Sequence, residues 1–158
     1  RAWSALAGGD APLRLTLNAA MVAAGGVMAE SYDAIVIGTG QAGPPLAVRL
    51  GSVGRRTAII ERKLIGGTCV NVGCIPTKTL IAIARTAHVA RHAAEFGVVL
   101  DGPVRVDMAR VKARKDAIVR QSNANVAKWI ADAPNVTLLT GQARFEGPRT
   151  VKVRYRLL

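Results

Sequence analysis

Residues 32–43 read Tyr-Asp-Ala-Ile-Val-Ile-Gly-Thr-Gly-Gln-Ala-Gly, and this stretch decides the fold. Tyr32 to Ile37 is a short apolar run containing β-branched residues, suited to a strand buried on both faces. It passes directly into a turn holding Gly38, Gly40 and Gly43. Leu46, Ala47, Val48, Leu50 and Val53 follow at a spacing compatible with a packed helix, which stops near Gly51 to Gly54. Thr57-Ala58-Ile59-Ile60 reads as a second strand and ends at Glu61. Strand, glycine turn, helix, strand and acid, in that order, predict an α/β, Rossmann-like domain with a parallel sheet inside a three-layer arrangement.

Each part of the pattern has a physical reason. Gly38 permits the tight turn, and Gly40 lets the backbone approach a pyrophosphate with no Cβ in the way. Gly43 lets the helix lie close to the strand, with the helix N-terminus facing the negative charge. Glu61 follows Gly43 by 18 residues, where a carboxylate can accept hydrogen bonds from both hydroxyls of an adenosine ribose. Pro44-Pro45 departs from the pattern by removing two N–H groups from the opening helical turn. A helix start tolerates this, because those donors have no intrahelical acceptor.

Downstream, Gly66 to Lys78 reads G-G-T-C-V-N-V-G-C-I-P-T-K and holds the only two cysteines of the sequence. Four residues separate Cys69 from Cys74. They can close a small disulfide loop if the segment is not yet regularly helical. The segment is expected to open a helix that runs to about Ala94. A helix start lowers a thiol pKa through its dipole and unpaired N–H groups. Lys78 lies one turn beyond Cys74 on the same face, where a cation steadies negative charge.

The segment resembles the redox-active motif of the class I pyridine nucleotide-disulfide oxidoreductases. It matches G-G-T-C-x-N-x-G-C-x-P-S/T-K at every defined position. The opening Y-D-A-I-V-I-G-T-G-Q-A-G and the I-I-E of the second strand match that family too. The likeness covers residues 31–158 and is nearest to mercuric reductase-like and dihydrolipoamide dehydrogenase-like flavoproteins. It implies an FAD-binding domain, with electrons passing from NAD(P)H through FAD to a Cys69–Cys74 disulfide. From there they would pass to a disulfide or metal-ion substrate. By the same resemblance Cys69 is the thiol that attacks substrate, Cys74 is the charge-transfer thiolate against the flavin, and Lys78 lies near the flavin ring. Gly38, Gly40 and Gly43 would approach the pyrophosphate, and Glu61 would hold the ribose. Gly67, Thr68 and Cys69 would line the flavin, and Ala143 would contact adenine through its backbone. The family also supplies a further strand, an NAD(P) unit and a dimerisation domain with a His-Glu pair. Residues 30–158 are therefore expected to be the N-terminal part of a longer FAD-binding enzyme, incomplete at the C-terminus and inactive alone. The full-length form is expected to be a cytoplasmic homodimer.

The rest of the chain is read more coarsely. Residues 1–29 carry only Arg1, Asp10, Arg14 and no other charge before Glu30, and are expected to be a non-native or disordered extension. A signal peptide, with Val27-Met28-Ala29 as a cleavage site, is the rival reading. Asp107 is expected to cap a long helix from Met108 to about Ala131. Its core face would be Met108, Val111, Ile118, Ser122, Val126 and Trp129. Val136 to Leu139 reads as a strand, and Ala143 to Phe145 with Thr150 to Tyr155 as a hairpin.

The formal net charge of +12 suggests a polyanionic partner at first sight. The cations are dispersed, however, and aromatic residues make only 4% of the chain, too few to stack bases along a basic block. No nucleic-acid or membrane partner is expected. Cys69, Cys74, His88 and His92 do have a C-x4-C-x13-H-x3-H spacing, close to a C2H2 zinc module. No aromatic lies between Cys74 and His92 to build a finger's small core, so no metal site is expected. A zinc-binding, C2H2-like nucleic-acid-binding module and a non-catalytic dinucleotide-binding module with inert cysteines are the two alternatives.

Overall fold

The computed structural model describes residues 13–18 and 28–154. The chain forms two compact units, Arg1–Lys63 with Trp129–Leu158, and Leu64–Lys128.

The first unit is built on a parallel sheet of β3 (Ala34–Ile37), β4 (Thr57–Glu61) and β5 (Val136–Thr140), in the order β3-β4-β5. Register runs from Ala34 opposite Thr57 and from Thr57 opposite Val136. All five residues of the central strand β4 are buried, as expected for a strand covered on both faces. Helix α1 (Gly43–Ser52) packs along β3, β4 and β5. Its Ala47 is fully buried, and the small side chain brings the helix axis close to the sheet. Gly51 has the same function at the other end of α1, where a Cβ would lie 2.2 Å from the Pro134 carbonyl oxygen.

A second sheet covers the opposite face, in the order β2-β1-β7-β6. Its strands are β1 (Leu13–Asn18), β2 (Met28–Tyr32), β6 (Gln142–Gly147) and β7 (Thr150–Arg154). Ala58 and Ile60 of β4 point to this side, where they join Tyr32, Leu139, Val151 and Val153 in one apolar cluster. Ile59, on the other face by strand alternation, is equally buried. The three layers are thus α1, the parallel sheet and a second β-sheet.

The expected strand from Tyr32 to Ile37 is divided at Asp33. Tyr32 ends β2 in the second sheet, and Ala34 begins β3 in the parallel one. Arg56 fixes the division. Its carbonyl accepts from the N–H of Asp33 and Ala34, and its own N–H donates to the Asp33 carboxylate at 2.8 Å. Its guanidinium lies 4.6 Å over the Tyr32 ring and donates to Glu30. β3 is an edge strand among the described residues and is only half-buried, in place of the two-sided burial expected for it. The hairpin forms as β6 and β7, with Ala143 opposite Val153. Within the expected N-terminal extension, Leu13–Asn18 is a strand paired antiparallel to β2 and parallel to β7. Residues 1–12 and 19–27 lie outside the described residues.

The second unit is helical. It comprises α2 (Gly67–Asn71), α3 (Cys74–Arg91), a 3-10 turn at Ala93–Phe96 and most of α4 (Met108–Ala131). Asp107 caps α4 as expected, its Oδ1 accepting from the N–H of Ala109 and Arg110 at 2.9 and 3.1 Å. The buried face of α4 differs from expectation at its ends. Met108 and Trp129 are 66% and 45% exposed, whereas Ile130 is fully buried. Val111, Ile118, Ser122 and Val126 are half-buried, in line with the expected stripe. Gly67–Arg91 has the length and composition of a membrane span, a feature that the sequence reading missed. Its helix is nonetheless broken between Asn71 and Cys74, and it carries Lys78 and Arg85.

Candidate active site: a glycine turn and a bridged cysteine pair

In the first unit the turn after β3 places Gly38, Gly40, Gly43 and Glu61 at the carboxyl ends of the parallel strands. That is where open α/β sheets bind ligands. The three glycines are not equivalent. Gly38 takes φ +98°, and its N–H donates to the Ile60 carbonyl at 2.7 Å. A Cβ on Gly43 would lie 2.1 Å from the Gly38 oxygen, so this glycine serves helix-to-strand contact. A Cβ on Gly40 would meet nothing within 4 Å. A Cβ on Gly38 would likewise meet nothing within 4 Å, so Gly38 and Gly40 both stand open, and Gly38 differs from Gly40 by its positive φ. The N–H groups of Gly38 and Gly43 are both used within the chain, the former on β4 and the latter on the Gly40 carbonyl. Pro44-Pro45 occupies the first turn of α1, as the sequence indicated.

Glu61 ends β4 and is 8% exposed. One carboxylate oxygen accepts from the Thr39 N–H at 3.0 Å and the Thr39 hydroxyl at 2.5 Å, and the other accepts from the Lys63 N–H at 2.9 Å. Burial pushes the carboxyl pKa up. The hydrogen bonds from Thr39, Lys63 and Arg62 outweigh it and hold the pKa below the ordinary value. The group is an ionised acceptor, suited to hydroxyl donors. The Glu61 carbonyl accepts from the Gly141 N–H at 2.8 Å, which ties this strand end to the corner before Ala143 in β6. Ala143 itself packs against the apolar cluster between the sheets.

In the second unit the cysteine segment does not open one helix. Cys69 lies inside α2, and Cys74 is the first residue of α3. Val72 and Gly73 break the helix between them. The two cysteines are joined by a disulfide, with Cα atoms 4.6 Å apart. The helix-start argument therefore applies to Cys74, at the N-terminus of an 18-residue helix. Cys69 is half-buried, and Cys74, Thr68 and Lys78 are exposed. Gly66 enters α2 with φ +94°, and a Cβ there would lie 2.7 Å from the buried Val70 side chain. Gly67 begins α2 and offers its carbonyl to Asn71. His88 and His92 pack ring against ring at 4.2 Å. With both thiols in the disulfide, the C2H2 ligand set does not assemble.

Three positioning residues were missed by the sequence reading. Thr39, the middle residue of Gly-Thr-Gly, is fully buried on Glu61. Asn71 donates to the carbonyls of Ile65 and Gly67, both at 2.9 Å. Asn123 of α4 donates to the same Ile65 carbonyl and to Asn71 Oδ1. Asn71 was legible as a defined position of the motif. Asn123 carries no local signal.

A parallel sheet with a glycine turn, together with a helix-borne disulfide, defines a class of redox protein, and the sequence comparison agrees. A profile of the pyridine nucleotide-disulphide oxidoreductases matches residues 32–157, and the chain belongs to that family. Among curated proteins, the dihydrolipoyl dehydrogenase of Rhizobium etli is 40% identical over 126 residues, covering 80% of this chain and 26% of the relative. That of Thermus scotoductus is 40% identical over 124 residues, covering 78% and 26%. The chain thus spans about a quarter of the length of these relatives. Among solved structures, the Cu(II) complex of the HOCl-induced flavoprotein disulfide reductase RclA from Escherichia coli superposes with a TM-score of 0.62. It shares 35% identity over 76% of this chain and 24% of that one. A second structure of RclA from Escherichia coli gives a TM-score of 0.57 and 37% identity over 71% of this chain and 22% of that one.

Proposed function

We propose that this chain is the flavin- and disulfide-bearing part of an oxidoreductase. Electrons would pass from NAD(P)H through FAD to the Cys69–Cys74 disulfide and on to a small disulfide-containing or metal-ion substrate. The observation that carries the reading is the disulfide itself, set across a helix break whose second cysteine starts a long helix. Residues present fit FAD: Gly40 has open space where a side chain would stand, and Glu61 is held ionised by Thr39 and Lys63. Gly38, Gly40 and Gly43 would form the pyrophosphate turn, Glu61 would accept from the ribose, and Ala143 would meet adenine. Gly67, Thr68, Cys69 and Lys78 would line the flavin.

When bound, FAD supplies a two-electron relay between nicotinamide and disulfide. The chain's own residues do the rest. Two electrons and two protons convert the Cys69–Cys74 bond to two thiols. The α3 N-terminus favours the thiolate at Cys74. Cys69, as thiolate, attacks one sulfur of a disulfide substrate and releases the other as a thiol. Cys74 then attacks Cys69, restoring the Cys69–Cys74 bond and releasing the second thiol. Lys78, one turn beyond Cys74, supplies a compensating cation. A disulfide substrate is favoured over a metal ion because this exchange closes with the two thiols present. The same reading makes the working protein a homodimer in the cytoplasm, which sedimentation and cell fractionation would check.

The test is spectroscopic. The chain loaded with FAD is reduced by two electrons, and a long-wavelength band reports a thiolate lying against oxidised flavin. Cys74→Ser should abolish the band and Cys69→Ser should retain it. The reverse pattern would exchange the two roles, and a chain that takes up no flavin under any condition would overturn the proposal.

A further inference from the structure

We infer that Asn123 is a positioning residue for the redox pair: it holds the α2 side of the disulfide in place when the S–S bond is open. The inference rests on the reading of Cys69–Cys74 as a redox couple. Its observation is independent of the motif, since Asn123 stands 52 residues beyond Asn71 in sequence.

The two amides are linked through their donors. Asn71 Nδ2 uses both hydrogens, on Ile65 O and Gly67 O, each at 2.9 Å. Asn123 Nδ2 uses both of its own, on Ile65 O at 2.5 Å and Asn71 Oδ1 at 3.1 Å. Ile65 O thereby accepts two bonds, its full complement. Only an amide at 71 can give two hydrogen bonds to main-chain carbonyls and accept one from α4. The anchor points, Gly67 and Asn71, are the first and last residues of α2 and stand on either side of Cys69. Cys74 is held separately as the first residue of α3.

The consequence is chemical. Reduction by glutathione converts the disulfide and two glutathione thiols into two protein thiols and one glutathione disulfide. With α2 fixed by Asn123, the open thiols stay near the 4.6 Å Cα separation of the bridged form. Their effective concentration towards each other is then high, and the bridge reforms readily. Removing the Asn123 donor frees α2, lowers that concentration and shifts the couple towards the dithiol.

The experiment titrates the full chain in glutathione redox buffers and counts free thiols after acid quenching and alkylation. Asn123→Ala and the isosteric Asn123→Asp, which lacks the donor, should each move the midpoint towards dithiol by about tenfold in equilibrium constant, or about 30 mV. Asn123→Ser, which keeps a shorter donor, should shift it less and serves if the other two fail to fold by circular dichroism. Asn125→Ala, two residues along the same helix and with its side chain on the exposed Gln121 amide, should titrate as the unaltered chain. Folded variants at 123 that keep the unaltered midpoint would overturn the inference, because a merely structural bond would change melting and leave the couple where it was. If the unaltered chain shows no reversible two-electron couple, it is the redox reading that fails.

Discussion

Gly40 and Gly43 stand in one turn under opposite demands, and the contrast between them is testable. Gly43→Ala drives a methyl group to 2.1 Å from the Gly38 oxygen, so α1 must move away from the sheet. A loss of about 1–3 kcal/mol in urea unfolding is expected. Gly40→Ala meets no atom of the chain within 4 Å. It should leave stability within about 0.5 kcal/mol while weakening flavin uptake, measured by fluorescence titration. Glu61 gives a prediction in pH. Its pKa lies below the ordinary 4.5 in the folded chain. The unfolded chain then binds more protons below that value, so stability rises with pH through this window. The Glu61 contribution is fully present above about pH 5 and is lost as pH falls through the depressed folded value. Urea titrations from pH 3 to pH 7 should show a shallower acid slope for Glu61→Gln than for the unaltered chain.

At the scale of elements, α4 owes its start to Asp107. Asp107→Ala removes the bonds to the Ala109 and Arg110 N–H groups and should cost about 1 kcal/mol in denaturant unfolding. The strand β4, central in the parallel sheet, is the element against which both outer layers of the first unit pack. Ile60→Ala opens a cavity between the sheets, against Tyr32, Leu139 and Val153. A loss of about 2–5 kcal/mol is expected. These elements also show how far local pattern reaches. Helix α4 was legible along its length, because Asp107 marks its start, Pro134 stands just beyond its end and 3.6-residue periodicity fills the interior. Its buried face was less legible. Periodicity alone weights Trp129 by size, whereas the fold turns Ile130 inward and leaves Trp129 45% exposed. The division of β2 from β3 at Asp33 was not legible either, since Arg56, which enforces it, is 23 residues away.

Across the whole chain, 22 cations face 10 anions. Some of the excess is neutralised locally: Lys112 and Lys115 both pair with Asp116, whose hydrogen bonds from them hold its pKa down to about 2. The rest repel one another over a distance set by salt, with a Debye length of about 10 Å at 0.1 M. Raising sodium chloride from about 10 mM to about 150 mM should therefore raise the melting temperature. An unchanged or lower value would show that the cations are already paired. The disulfide spans a sequence separation of only 5. Its loop-closure effect is accordingly small, about 2 kcal/mol, and the Cys69→Ser, Cys74→Ser double variant should keep its far-ultraviolet circular dichroism.

The sequence by itself determined the parallel strands around a glycine turn, the acid that ends them, the family and the two cysteines that the disulfide joins. All of these are set within windows of about 30 residues, where periodicity, turn chemistry and motif spacing act directly. Tertiary structure decided which glycine packs and which stand open, that a β-sheet forms the third layer, and that the cysteines sit on two helices with a break between them. It also decided that Thr39 bonds the Glu61 carboxylate and that Asn123 reaches the disulfide-bearing segment. These depend on contacts between residues distant in the chain, such as Thr39 with Glu61 and Asn71 with Asn123. Hydrogen bonds of that kind leave no periodicity to read, because a lone buried Thr or Asn has the same local pattern whatever it touches.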